Sequence, residues 1–208
     1  MNFFKKTVLG GFGVFYPQEV IGKENIPEGA AVVVCNHYRN IDCAFLKKIF
    51  RENSFFLAKE ELFKTKIVGG FIKSFGAIPV NRENPSLSTL YKATKVLKDG
   101  AKLVIFPEGT RNKTKERLLP IKTGSAVFAV KSKCPILPVM MLKKAKVFRK
   151  TRLIIGKPIY LEGYYDKKLG EKEIAELDEI VTNAMLSEQD KLARIIEERK
   201  LKKVKKNK

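Results

Sequence analysis

The sequence predicts a single α/β domain: a largely parallel mixed sheet flanked by helices, followed by a C-terminal helix and a basic tail. Three observations carry that prediction. Short β-branched apolar runs recur along most of the chain, segments of helical period lie between them, and from about Gly170 the pattern becomes purely helical.

The runs AAVVVC (30–35), SFFLA (54–58), GAIPV (76–80), KLVIF (102–106), PILPVMM (135–141) and RLIIG (152–156) read as strands. They lack the polar alternation of a half-exposed sheet, so both faces are expected to be covered. NPSLSTLYKATKVLKDG (84–100) is the clearest helix. Asn84 is expected to cap it and Pro85 to sit in its first turn. Leu87, Leu90, Thr94 and Leu97 share one face, and Gly100 ends the helix. Near the C-terminus, Ile174, Leu177, Val181, Ala184 and Met185 form a stripe that Leu192, Ile195 and Ile196 continue. That helix is expected to pack on the domain and run out into the tail. SEQD (187–190) leaves open whether a second helix starts there. The expected division is an apolar, aromatic membrane-contact segment at 1–16, the main domain at 17–165 and a helical, polybasic segment at 166–208.

Hydrophobic residues make up 44% of the 208, which is enough for a real core and excludes a disordered chain. Lys and Arg number 42 against 22 Asp and Glu, a formal charge of +20, so the partner is expected to be anionic: nucleic acid, a phospholipid surface or a phosphorylated substrate. The excess is concentrated in KKAKVFRKTR (143–152) and RKLKKVKKNK (199–208), which contain no acid. Cys35, Cys43 and Cys134 are odd in number and lack metal-ligand spacing, which reads as inert thiols in a reducing compartment and no metal. The apolar stretch after Lys5 and Lys6 is far short of the ~20 residues of a membrane span, and no cleavage signal follows it. No transmembrane helix and no signal peptide are expected. Phe3, Phe4, Phe12, Phe15 and Tyr16 are expected to divide between membrane and core contacts.

The only histidine stands in VVVCNHYRNID (32–42). His37 and Asp42 are five apart and would diverge on a regular helix. They meet only if His37 ends a strand and the chain turns into a helix whose first turn contains Asn40 or Asp42. Such a turn lies at the carboxyl edge of a parallel sheet, where open α/β folds place ligands. An Asp42 carboxylate accepting the Nδ1 proton leaves Nε2 as a base. VIFPEGTRN (104–112) runs another strand into a turn at that edge, with Gly109 permitting close approach and Arg111 offering a fork for phosphate. GAIPVNR (76–82) places Arg82 after a further strand, and CPILPVMM (134–141) brackets an apolar strand with prolines.

Taken together, NHYRNID, GAIPVNR, FPEGTR and PILPV resemble the four ordered blocks of the glycerolipid acyltransferase family, the PlsC-like enzymes, and the resemblance covers roughly residues 17–160. It implies a glycerol-3-phosphate acyltransferase-like fold. It implies that His37 and Asp42 form the catalytic pair. Glu108, Gly109, Thr110 and Arg111 then belong to the acceptor-binding block, with Arg82 and Arg111 on the phosphate and Lys59 as a further ligand. Pro138 falls in the block associated with the acyl donor. The implied reaction moves a fatty acyl group from acyl-CoA or acyl-carrier protein (ACP) to 1-acylglycerol 3-phosphate, forming phosphatidate. It takes place peripherally at the cytoplasmic face of an anionic phospholipid membrane. No cofactor, metal or acyl-enzyme is implied. Main-chain N–H groups near His37 are expected to cradle the oxyanion, and Cys35 is expected to face away from His37. Another lysophospholipid or glycerol-phosphate acceptor is the nearest alternative. A non-catalytic lipid-binding scaffold or a basic nucleic-acid-binding protein are alternatives of other classes, and no nucleic acid is expected.

Overall fold

A computed structural model of the chain describes residues 10–81, 86–122 and 124–206. Among these residues there are seven strands: β1 (Gln18–Ile21), β2 (Ala31–Cys35), β3 (Ser54–Lys59), β4 (Ala77–Val80), β5 (Lys102–Ile105), β6 (Ile136–Met141) and β7 (Thr151–Ile155). The helices are α1, whose described part is 10–15, then α2 (Asp42–Phe50), α3 (Lys66–Ser74), α4 (Leu87–Lys98), α5 (Ser125–Ser132) and α6 (Glu171–Lys206). The strands form one sheet in the order β1-β7-β6-β2-β5-β3-β4. Every neighbouring pair is parallel except β6 with β7.

The continuous apolar runs are explained by a three-layer arrangement. Along β2, Val32 and Val34 face α4, α5 and α6, while Ala31, Val33 and Cys35 face α2. All five are fully buried. One layer packs Ala93 and Leu97 of α4, Ala129 of α5 and Leu177, Val181 and Met185 of α6 against the sheet. The other packs Phe45, Leu46 and Phe50 of α2. The six expected strands are present to within a residue or two. β1 went unread because QEVI is short and only half-buried, so it carries no apolar run.

Pro138 sits inside β6 without breaking the ladder. Its carbonyl accepts from the Gly156 N–H (2.8 Å), so its ring nitrogen faces the same side, just past the end of β7, where no partner needs a donor.

The helices correct two expectations. Ser86, not Asn84, caps α4: its hydroxyl accepts from the Thr89 N–H at 3.2 Å, and Asn84 and Pro85 lie outside the described residues. The buried face of α4 is Thr89, Ala93 and Leu97, whereas Leu87, the first helical residue, faces solvent. Gly100 ends the helix at φ +78°, as expected. SEQD starts nothing: α6 runs through it unbroken, with Gln189 buried and Asp190 paired to Arg117 at 2.7 Å. The N-terminal aromatics divide as expected. Phe12 and Tyr16 pack on Phe45 (4.9 and 6.3 Å between ring centroids), Phe15 is exposed, and Phe3 and Phe4 lie outside the described residues.

Candidate active site

Strand register builds the site. Val34 of β2 lies opposite Ile105 of β5, so the turns holding His37 and Glu108, each three residues further on, emerge side by side at the carboxyl edge of adjacent central strands. The turn after β2 passes directly into α2, whose first residue is Asp42. His37 Nδ1 lies 3.0 Å from Asp42 Oδ2. The same oxygen accepts the N–H groups of Tyr38 (2.6 Å) and Arg39 (2.7 Å). Asp42 is fully buried at a helix N-terminus, where the dipole favours negative charge. An oxygen already taking two main-chain donors acts as acceptor toward the ring too. This fixes the proton on Nδ1 and leaves the Nε2 lone pair without a partner among the described residues. Phe106 stacks on the imidazole, with ring centroids 4.0 Å apart at 18°, and holds its plane.

The turn after β5 clamps the main chain of His37 from both sides. The His37 N–H donates to Glu108 Oε1 (2.7 Å), and the His37 carbonyl accepts from the Asn112 N–H (2.6 Å). Glu108 Oε2 accepts from the Leu119 N–H at 2.9 Å. Glu108 is 2% exposed. The resemblance placed it in the acceptor-binding block, but both its oxygens are turned onto main-chain donors, so here it joins two turns. Burial pushes its carboxyl above the ordinary carboxylate range, while the two N–H groups pull it back. Glu108→Gln keeps one acceptor and turns an amide N–H against the other donor. That exchange is expected to cost about 1.5–3 kcal/mol and to lower Tm by about 2–4 °C for each kcal/mol, as thermal unfolding followed by circular dichroism would show.

Gly109 stands at φ +63°, and a Cβ there would come within 2.8 Å of the Lys122 side chain. The turn leaves Thr110 and Arg111 exposed at the same edge as His37, and Arg111 has no ion pair among the described residues. Lys59, at the end of β3, is also exposed but paired to Glu61 at 2.9 Å. Arg82 lies outside the described residues. Pro138 is buried in the sheet, so its place in the ladder is structural.

Two further expectations need correction. The N–H groups of residues 37, 38 and 39 are all committed to Glu108 or Asp42, so none of these three is free to hold an oxyanion. Alternation does not separate Cys35 from His37, since positions two apart share parity on a strand. Burial against α2 separates them, and it raises the Cys35 thiol well above its ordinary value. Cys43 is pushed up to about 11, by burial and then by Asp42. Neither is a ready thiolate.

Four supporting groups carry little or no signal in the sequence. Asn36 lies next to the histidine. Its Nδ2 donates to the Met141 carbonyl and its Oδ1 accepts the Met141 N–H, both at 2.9 Å, extending the β2–β6 ladder through a side chain. Arg39 Nη1 donates to the Ala145 carbonyl at 3.0 Å. Phe106 and Asn112 complete the set. Only Asn112 had a local signal, since N-K-T suits the Asx turn in which its Oδ1 accepts the Thr114 N–H (3.0 Å).

Comparison with known proteins places this geometry. The family model described as Acyltransferase matches residues 18–142. The 1-acyl-sn-glycerol-3-phosphate acyltransferase of Bacillus subtilis is 36% identical over 153 residues, covering 68% of this chain and 73% of that protein. The enzyme of the same name from Helicobacter pylori is 35% identical over 122 residues, covering 58% of this chain and 52% of its own length. The crystal structure of the Thermotoga maritima 1-acyl-sn-glycerophosphate acyltransferase, PlsC, aligns with a TM-score of 0.64 at 27% identity, covering 90% of this chain and 83% of that one.

Proposed function

The chain belongs to the acyltransferase family, and from that premise we propose that it acylates the free hydroxyl of 1-acylglycerol 3-phosphate to form phosphatidate. The observation that carries the reading is the His37–Asp42 pair, 3.0 Å apart at the carboxyl edge of the sheet, with the exposed guanidinium of Arg111 at the same edge. A thioester carbonyl is already electrophilic, so the reaction needs a deprotonated alcohol and correct aim. His37 Nε2 takes the hydroxyl proton as that oxygen attacks the carbonyl, and Asp42 stabilises the imidazolium that forms. The C–O ester bond forms, the C–S bond breaks, and the imidazolium returns its proton to the departing thiolate. The thioester is acyl-CoA or acyl-ACP. Arg111, together with Arg82, holds the acceptor phosphate and so keeps the hydroxyl near the carbonyl.

On this reading the acceptor is drawn from an anionic phospholipid surface on which the protein works peripherally. No helix among the described residues is long and apolar enough to cross a membrane. A matrix of donors against acceptors, run on the wild type and on His37→Ala, tests the assignment. Use of a lysophospholipid with a large head group in place of lysophosphatidate would overturn it. Arg111→Ala is expected to raise the acceptor KM by about 10–150-fold with a smaller change in kcat, the equivalent of one lost charge-assisted hydrogen bond. Steady-state kinetics in acceptor concentration would measure this.

A further inference from the structure

A lysophosphatidate acceptor is a membrane lipid, and on that reading of the function we propose that the sheet edge holding His37 is a docking face for an anionic bilayer. An exposed apolar lobe stands on each side of the catalytic turn, with a cationic fringe around them.

Topology brings the parts together. β2, β3, β4, β5 and β6 all end at this edge, and β7, antiparallel to β6, begins there with its parallel neighbour β1. Residues just before β1, between β6 and β7, and just after β3 therefore share one rim. The first lobe combines Val14 and Phe15 with Val147 and Phe148, all exposed. The rings of Phe15 and Phe148 lie 5.6 Å apart, and the Phe148 N–H donates to the Phe15 carbonyl at 2.7 Å. Phe148 is 70% exposed. Because Phe12 and Tyr16 of the same segment are fixed on Phe45, Val14 and Phe15 form an outer face on an anchored element.

The second lobe is α3 with the turn before it. Its sequence, KIVGGFIKS, is mostly apolar, yet Gly69 is its only buried residue. A Cβ on Gly69 would lie 2.7 Å from the Phe63 carbonyl oxygen, so the helix rests on that turn through bare backbone. Its side chains point elsewhere: Leu62, Ile67, Val68 and Phe71 are exposed, Ile67 by 88%. Strand order sets this lobe beside β3 and β4 and the first beside β6, β7 and β1, with the turns of His37 and Glu108 between them.

Cations border both lobes. Lys143, Lys144, Lys146, Arg149 and Lys150 are exposed around Phe148, and Lys64 and Lys66 adjoin Ile67. The basic tail converges on the same rim. Glu188 of α6 lies against Gly156, beyond the end of β7, whereas Arg199 pairs with Glu19 beside the start of β7. α6 thus runs toward the His37 edge and carries its last turns about 10 Å past it. Apolar side chains flanked by lysines suit a bilayer, which takes up the apolar groups while its anionic head groups meet the charges. An acidic carrier protein would use the charges and leave both lobes wet. Arg39 ties the β6–β7 loop to the His37 turn through the Ala145 carbonyl, so a docked lobe also fixes the depth of the base.

The test uses Ile67→Asp and Phe148→Asp, singly and combined, in the full chain. Phe148 has φ +56°, a conformation aspartate tolerates. Co-sedimentation with phosphatidylcholine vesicles containing phosphatidylglycerol is expected to show about tenfold or greater loss of affinity for the double variant. Turnover of vesicle-embedded lysophosphatidate should fall in parallel, while turnover of a monomeric short-chain lysophosphatidate stays at the wild-type level. Undiminished vesicle binding by the double variant overturns the proposal. So does a loss of binding to acyl-carrier protein with vesicle binding intact. If the double variant melts early, Lys144→Glu with Lys150→Glu gives the same reading, since both side chains are exposed. Failure of the proposed reaction would look different: the wild type would bind vesicles yet not turn over the monomeric substrate.

Discussion

His37→Ala is expected to lower kcat by about 10²–10⁴-fold, the contribution of a positioned general base, with a much smaller change in acceptor KM. The loss should fall on kcat because the ring acts when the hydroxyl proton moves, whereas the acceptor phosphate is held by guanidinium groups elsewhere on the edge. The fold should survive. Asp42 keeps its two main-chain donors, and the clamp on residue 37 runs through its own N–H and carbonyl, which alanine retains. What is lost is the stacked contact with Phe106, worth about 1 kcal/mol. Single-turnover kinetics beside a thermal melt separate the two effects. A His37→Ala protein with wild-type kcat would remove the imidazole from the mechanism.

Asp42→Asn is expected to produce a loss of similar size, about 10²–10⁴-fold, by a different route. An amide can still face the Tyr38 and Arg39 N–H groups through its oxygen. It no longer supplies the negative charge that favours the imidazolium, and it can present an N–H to Nδ1, placing the proton on the wrong nitrogen. Because Asp42 is fully buried and Oδ2 accepts three hydrogen bonds, stability should fall as well, by about 1–3 kcal/mol. The decisive measurement is the double variant. If the pair acts as a unit, His37→Ala with Asp42→Asn is no slower than His37→Ala alone. Additive losses would mean that Asp42 acts on the substrate or on the fold rather than through the ring.

The site is partly legible in the amino-acid sequence. His37, Asp42 and Arg111 can be read because each sits within a short segment whose local form is set by its own residues: a buried strand, a turn, a helix start. Glu108 stands out too, but its role does not. A carboxylate beside Gly-Thr-Arg reads as a ligand contact, and nothing local reveals that its oxygens are taken by the N–H groups of His37 and Leu119. Asn36 is invisible for the same reason, since its partner Met141 lies 105 residues away. The exposed apolar face of α3 is also hidden. IVGGFI reads as core-forming until the strand order puts it beside an edge strand, where no described element covers it.

By itself the sequence determined the fold class, six of the seven described strands, the breadth of the core and the imidazole–carboxylate pair. These follow from local propensity and from apolar runs too continuous for a half-exposed sheet. Only the tertiary structure decided which strands are neighbours, and with them the clamp on His37, the commitment of the nearby N–H groups and the shared rim of exposed apolar side chains. Register between β2 and β5 joins residues 71 apart. Contacts at that separation depend on how layers pack over the whole chain, which no short stretch encodes.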